Sequence, residues 1–330
     1  MTHHPGTAHL AHALPTLADL DAAAALVHAS FPPTPQYRWP LLETRLGARC
    51  WVKHENHTPV GAFKVRGGLV YFDWLRRTQP DVSGVVTATR GNHGQSVGYA
   101  AQRAGIRACV VVPHGNSTEK NAAMRALGVE LVEGGDDFQD SVELADRIAE
   151  ERGWHRLPSY HTHLVSGVGT YALELLRASP DIETVYVPIG LGSGACGVIA
   201  ARDALRHRAD VVGVVSTEAP AYARSLERGE AVSLPATTRI ADGMACRTPV
   251  PAALEALQGG LSRVVLVSDD EVEEAMRVLF SDTHNAAEGA GAAACAAALQ
   301  ERGTLRDEIA VILCGGNVDR DVFARVLAGS

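Results

Sequence analysis

The chain lacks any apolar run long enough to span a bilayer, so no membrane-crossing helix is expected. It also lacks a Cys-x-x-Cys pair. Its six cysteines, at 50, 109, 196, 246, 295 and 314, stand apart along the sequence, the pattern of buried free thiols in a reducing compartment such as the cytoplasm. There is no basic stripe. The formal charge is -8 with both signs interspersed, so neither nucleic acid nor an anionic membrane is an expected partner. Residues 1–20 have no Lys/Arg-led apolar core, which argues against a secretory signal, and His3, His4, His9 and His12 are expected in an exposed leader. Fixed-period repeats and low-complexity linkers are absent too. What is present is a globular composition: 46% of the 330 residues are hydrophobic and 21% charged, enough for about two lobes with large apolar cores.

Short β-rich runs alternate with Ala/Leu-rich segments, the pattern of parallel strands joined by crossover helices. Strands are expected at Arg49–Lys53, Gly84–Ala88, Ala108–Val112, Glu130–Val132, Thr184–Pro188, Val211–Val215, Arg263–Val267 and Ile309–Cys314. Several are near-continuous apolar runs, as strands covered on both faces should be. Helices are expected at Ser117–Leu127, Asp136–Arg152, Gly169–Ala178, Gly194–His207, Asp269–Phe280 and Gly289–Arg302. The first opens on Ser-Thr-Glu, a cap and an early acid that suit a helix start. Pro80–Ser83 and Gly153–Ser159 read as punctuation around a smaller inserted lobe. After Asp319 one short helix is expected, leaving no room in this sequence for an appended regulatory domain.

Four segments carry chemistry. Lys64 sits in Lys53-His54-Glu55-Asn56-His57-Thr58-Pro59-Val60-Gly61-Ala62-Phe63-Lys64-Val65-Arg66-Gly67-Gly68. An apolar neighbour such as Phe63 disfavours the ammonium, and glycines 61, 67 and 68 would let a flat ring approach the backbone. Thr89-Arg90-Gly91-Asn92-His93-Gly94 follows a strand and leads into a helix, so its amides suit an anion such as a carboxylate. Gly190-Leu191-Gly192-Ser193-Gly194 repeats that arrangement and suits a phosphate. A dinucleotide loop is the competing reading, and Glu218 stands where its ribose-binding acid would be. The fourth segment is the strand ending Cys314-Gly315-Gly316-Asn317, whose thiol could face a ring nitrogen.

In this order, the segments resemble the fold-type II pyridoxal-phosphate enzymes, most closely the serine/threonine dehydratase (threonine ammonia-lyase) and serine racemase branch. The resemblance covers roughly residues 30–320, with Gly167-Val168-Gly169-Thr170 and Ala241-Asp242-Gly243 in support. It implies a two-lobed α/β fold like that of tryptophan synthase β, with open, mostly parallel sheets flanked by helices. The large lobe would comprise 1–80 and 156–330, and 81–155 would form the inserted small lobe. It also implies pyridoxal 5′-phosphate as cofactor, an amino acid as substrate and a homodimer. Lys64 would join the cofactor as an imine and later remove the Cα proton, with Phe63 packed beside the ring. Asn92 would bond the cofactor 3-oxygen. Gly190, Leu191, Gly192, Ser193 and Gly194 would hold the phosphate, Gly243 would admit the ring face, and Cys314 would meet the ring nitrogen, where many relatives have serine. The amides of Thr89, Arg90, Gly91, Asn92 and His93 would hold the substrate carboxylate.

The expected reaction is removal of water and ammonia from a β-hydroxy-α-amino acid. Threonine and serine are the default substrates, with 3-phenylserine, 3-hydroxyaspartate or a hydroxyectoine-derived compound as alternatives. A β-replacement synthase and a catalytically silent cofactor-binding protein are the rivals. Three departures from the family pattern bear on this. Arg90 stands where racemases carry a serine base, a role that a permanently protonated guanidinium cannot fill. It is expected either to meet a polar substrate tail or to pair with a nearby acid. Glu218 matches one ligand of a divalent-cation site, but Arg224 takes the place of the partner aspartate, so no metal is expected. Tyr160 and His161 replace the usual pocket-lining segment, and either read the substrate or satisfy local hydrogen bonds.

Overall fold

The computed structural model describes residues 14–136 and 138–329. The four histidines expected in an exposed leader, His3, His4, His9 and His12, lie outside them. Ten strands are present among the described residues: β1 (Gln36–Arg38), β2 (Arg49–His54), β3 (Gly84–Ala88), β4 (Arg107–Val112), β5 (Glu130–Glu133), β6 (His155–Arg156), β7 (Thr184–Pro188), β8 (Asp210–Ser216), β9 (Arg263–Val267) and β10 (Glu308–Leu313). The helices are α1 (Leu17–His28), α2 (Pro40–Leu46), α3 (Lys64–Thr78), α4 (Asn92–Ala104), α5 (Thr118–Ala126), α6 (Phe138–Arg152), α7 (Thr162–Ala178), α8 (Ser193–Ala204), α9 (Ala221–Arg228), α10 (Pro251–Gly260), α11 (Asp269–Thr283), α12 (Gly289–Gln300) and α13 (Arg320–Ala328).

The strands form two sheets. One has the order β1-β2-β10-β7-β8-β9 and is parallel except for β1, which runs against β2. The other is β5-β4-β3-β6, parallel throughout. Strands β3, β7 and β10 are buried along their whole length, because helices cover both faces of such sheets and leave no polar side. Helix α12, Gly-Ala-Gly-Ala-Ala-Ala-Cys-Ala-Ala-Ala-Leu-Gln, is buried around nearly its whole circumference, as a helix without a polar face must be.

Every expected strand is present, with ends within one residue. The two unexpected ones, β1 and β6, are only three and two residues long, too short to carry an alternating pattern. The largest difference is in α7. Its start was expected at Gly169, yet it begins at Thr162, capped by His161, whose Nδ1 accepts from the His163 amide at 3.2 Å. Gly167 does not break this helix. A Cβ there would overlap the Arg66 carbonyl oxygen, so the glycine is what lets α7 and α3 touch backbone to backbone.

The glycines after Lys64 serve the same packing rather than the approach of a flat ring. A Cβ on Gly67 would lie 2.8 Å from the Leu164 carbonyl oxygen, and one on Gly68 would overlap the Ser96 hydroxyl. Helix α3 is thereby wedged between α4 and α7. It is also anchored by a buried ion network. Arg66 bonds Glu55 at 2.7 Å and 2.9 Å and Glu174 at 2.6 Å and 3.0 Å, while Lys53 reaches Glu174 at 2.6 Å. Arg66, Glu55 and Lys53 are fully buried. Their mutual compensation is what makes that burial tolerable.

Candidate active site

Three neighbours in the larger sheet, β2, β10 and β7, all point their C-terminal ends the same way, and ligands collect at such ends of parallel strands. The chain leaving β2 reaches Phe63 and Lys64, β10 ends at Cys314, and β7 runs into Gly190–Gly194. The Lys64 and Cys314 segments are tied together. Phe63 N–H donates to the Cys314 carbonyl at 3.0 Å and Gly316 N–H to the Gly61 carbonyl at 2.9 Å. From the smaller sheet, β3 brings Thr89–His93 to the same place. One cavity is lined by Phe63, Lys64, the residues from Ala88 to His93, Gly190–Gly194, Gly243, Cys314, Lys120, Asp242 and Glu288, among others. It encloses about 1000 Å³ with its open mouth included.

Lys64 Nζ donates to Ser193 Oγ at 3.2 Å and lies 5.0 Å from the centre of the Phe63 ring. Burial lowers its pKa from 10.5 to about 8, with Cys314 weakly opposing. An amine so poised is available to a carbonyl near neutral pH, whereas a surface lysine is not. Burial also pushes the Cys314 thiol far up, so it stays neutral, and its Sγ donates to the Ala290 carbonyl at 3.4 Å.

Two helix N-termini open onto the cavity. Helix α8 begins after Gly192, which has φ +97° and caps no amide with a side chain. A Cβ on Gly190 would overlap the Gly243 carbonyl oxygen, so the loop can curl only because 190 is glycine. The uncapped amides and the Ser193 hydroxyl form a cradle for a phosphate. Helix α4 likewise starts without a side-chain cap. Not every amide of its loop is available, which corrects the expectation for Thr89 and Gly91. Thr89 N–H donates to Val111 O at 3.0 Å and Gly91 N–H to Thr89 Oγ1 at 3.1 Å. The amides of Asn92, His93 and Gly94 in the first turn have no intrahelical acceptor and can meet an anion.

Beside them His93 is buried, and its Nε2 has no hydrogen-bond partner among the described residues. Burial, with Lys64 and Arg156 adding to it, lowers its pKa to about 3, so the ring is neutral. Arg90 is exposed at the cavity wall and makes no hydrogen bond or ion pair among the described residues. Of the two alternatives for Arg90, pairing with an acid is therefore not seen.

Tyr160 and His161 do not line the cavity. The Tyr160 hydroxyl lies 3.6 Å from Cys196 Sγ, and the ring packs on the large core. His161 caps α7 and stands edge-on to Tyr71 at 5.1 Å. Arg224 pairs with Glu227 at 2.8 Å, while the Glu218 carboxylate accepts from Ser216 and Thr217. The guanidinium does not stand in for a cation at Glu218. No cluster of metal-ligating side chains occurs among the described residues.

Lys120 and Glu288 were not anticipated as site residues. Lys120 Nζ lies 2.7 Å from Asp242 Oδ2 and 3.2 Å from Glu288 Oε2, the second an ion pair without hydrogen-bond geometry. Burial disfavours the Lys120 ammonium, but the two carboxylates overcome this and hold its pKa up. Glu288 carried one signal in the sequence: it is the single charge heading an otherwise apolar, Ala-rich helix.

The residues present fit pyridoxal phosphate. A buried amine with lowered pKa, a glycine-bounded phosphate cradle, a neutral thiol and an imidazole whose Nε2 has no partner among the described residues share one cavity. Known proteins agree. The family model described as "Pyridoxal-phosphate dependent enzyme" matches residues 28–315. The L-threonine ammonia-lyase of Thermotoga maritima is 33% identical over 85% of this chain and 70% of its own length. The biosynthetic L-threonine dehydratase IlvA of Salmonella typhimurium is 31% identical over 87% of this chain, which spans 56% of that relative's length. The solved structure of a T.th. threonine deaminase superposes with a TM-score of 0.86 at 33% identity, covering 92% of this chain and 99% of that one.

Proposed function

Because the chain belongs to the pyridoxal-phosphate dependent enzyme family, we propose that it is an ammonia-lyase acting on a β-hydroxy-α-amino acid. The observation that carries this is Lys64: a buried amine of lowered pKa, 3.2 Å from Ser193 Oγ, inside a cavity onto which two uncapped helix N-termini open. Bound pyridoxal phosphate supplies an electron sink for the pair left behind when Cα loses its proton. Residues of the chain do the rest. The Gly190–Gly194 amides and Ser193 hold the phosphate, and the first-turn amides of α4 hold the substrate carboxylate. Lys64 is the base that takes the Cα proton. Cys314, a neutral thiol, would meet the ring nitrogen without an acid to keep it protonated, a pairing suited to prompt loss of the β-hydroxyl. Elimination releases water, hydrolysis returns it, and the net products are a 2-oxo acid and ammonia.

Threonine and serine are the baseline substrates, since relatives carry the name L-threonine ammonia-lyase. Arg90 favours a narrower class. It is a cation at the cavity wall with no acid of its own, suited to a substrate whose β-carbon bears an anionic group, of which 3-hydroxyaspartate is the simplest. With Tyr160 and His161 outside the cavity, 3-phenylserine has no aromatic partner from that segment. The test is a panel of β-hydroxy amino acids, both diastereomers, scored for 2-oxo acid and ammonia with wild type and Arg90→Ser. A selective loss on acidic substrates supports the assignment of Arg90, and equal rates across the panel overturn it. Release of oxo acid without any added nucleophile separates the lyase from a β-replacement synthase, and turnover itself separates it from a silent cofactor-binding protein. We further propose a cytoplasmic homodimer. Six buried, unpaired cysteines suit a reducing compartment, and sedimentation equilibrium measures the assembly.

A further inference from the structure

Five polar side chains, four of them lining the cavity, form one continuous chain that crosses between the two sheets at every step. Asn317 follows β10, Asn92 opens α4, Glu288 precedes α12, Lys120 lies on α5, and Asp242 lies beside Gly243. Asn317 Nδ2 donates to the Val60 carbonyl at 2.8 Å and to Asn92 Oδ1 at 2.8 Å. Asn92 Nδ2 donates to Glu288 Oε1 at 2.5 Å, and Lys120 spans Glu288 and Asp242. Three motif glycines make room for this chain. A Cβ on Gly61 would come 2.5 Å from Asn317 Oδ1, one on Gly91 2.5 Å from Lys120 Cδ, and one on Gly315 would overlap Glu288 Oε1.

The two ends of a carboxamide are nearly equivalent in shape, and only partners tell them apart. Here both ends are fixed by logic. A backbone carbonyl only accepts, so the end of Asn317 at Val60 must be its nitrogen, and the same nitrogen must meet the oxygen of Asn92. An ionised carboxylate also only accepts, so the other end of Asn92, facing Glu288, must be nitrogen. Burial pushes the Glu288 carboxyl up and the Lys120 ammonium pulls the other way. The contact with Asn317 by itself already turns the Asn92 nitrogen toward Glu288. Asn92 then has its carbonyl turned toward Asn317 and one amide hydrogen left over.

We propose that Asn317 is a positioning residue, which with Glu288 locks the Asn92 carboxamide so that the donor it presents to the cavity is always N–H. That donor suits an anionic oxygen on the cofactor ring. The inference rests on the cofactor assignment above. Without Asn317, Glu288 alone opposes turnover of the carboxamide, and each turned-over carboxamide offers an acceptor that repels such an oxygen.

The test is a double-mutant cycle on the enzyme reconstituted with pyridoxal phosphate, read by the visible absorption spectrum and by the cofactor dissociation constant. Asn317→Ala should reproduce the spectral change of Asn92→Ala and weaken cofactor binding by about ten-fold, the worth of one charge-assisted hydrogen bond. The double variant should be no worse than Asn92→Ala alone. Asn317→Asp, equal in size, should be worse than Asn317→Ala, because its carboxylate draws the Asn92 nitrogen toward itself and turns the amide over. It also keeps the proposal testable should the alanine variant unfold. A wild-type spectrum and affinity in both Asn317 variants would overturn the proposal, as would effects of Asn92 and Asn317 that simply multiply. Failure of the wild-type chain to develop a visible band would instead sink the cofactor assignment.

Discussion

His93 should make the cofactor-free protein acid-labile well above the pH at which carboxylates titrate. Its folded-state pKa is about 3, against 6.5 for an ordinary histidine. Between those values the unfolded chain binds a proton that the native ring refuses. Stability is therefore fully present above pH 6.5 and is lost as the pH falls toward 3. The whole displacement caps the loss at roughly 5 kcal/mol, and at pH 5 it amounts to about 2 kcal/mol relative to pH 7.5. The imidazole is only 8% exposed, so solvent screening does little to reduce this.

The assay is urea unfolding of wild type and His93→Gln at pH 7.5 and pH 5.0. Glutamine will impose its own offset by repacking, but that offset is the same at both pH values. The difference between the two pH values should shrink by about 2 kcal/mol in the variant. His54, whose pKa burial lowers to about 4, contributes in the same direction in both proteins and cancels. Equal pH dependence in the two proteins would refute the reasoning, since it would mean that His93 takes up its proton without unfolding.

Lys64→Ala should prevent any visible cofactor band and lower turnover at least about a thousand-fold, because tether and base are lost together; steady-state rates and an absorption spectrum check both. Glu55→Ala strands the buried Arg66 guanidinium with half its partners and should cost about 3–5 kcal/mol of stability by denaturant melts. Gly167→Ala pushes a methyl into the Arg66 carbonyl and should cost about 1–3 kcal/mol while displacing the start of α3, seen as a lower melting temperature and a weaker cofactor Kd. Ser117→Ala with Glu119→Ala removes the contacts of α5 with Asp319 and Arg320. The pH midpoint of cofactor capture, set by Lys64, should then rise from about 8 toward 10.5.

The parts of the site legible in the sequence are those in which one local segment holds all the information. Gly84–Ala88 into Gly91 and Thr184–Pro188 into Gly192 are strand, glycine loop and helix start within about ten residues, and pattern and punctuation are sufficient there. What a glycine is for is not local. Gly61 clears Asn317, Gly91 clears Lys120 and Gly315 clears Glu288, partners that only the folded topology brings together. The same limit applies to Tyr160 and His161. A polar loop beside a site carries no sign of which way its side chains face, and here α7 begins seven residues early and turns His161 into its cap. Lys120 was hidden because a lysine in the first turn of an amphipathic helix looks ordinary until two acids distant in sequence, Asp242 and Glu288, meet it.

The electrostatics of the cavity explain how Lys64 is made reactive. A lysine can be lowered by a neighbouring cation or by loss of water. Of the cations on the cavity wall, Lys120 is compensated by Asp242 and Glu288, and neither it nor Arg90 contributes to the lowering of Lys64. Only burial is left to lower Lys64, and it is the dominant cause. Water exclusion is in turn a property of the closed cleft, in which the side chains joining the two sheets, Asn92 to Glu288 and Lys120 to Asp242, form part of the wall around the amine. The contacts assigned above to orienting Asn92 therefore also help enclose Lys64, whose lowered pKa rests on burial.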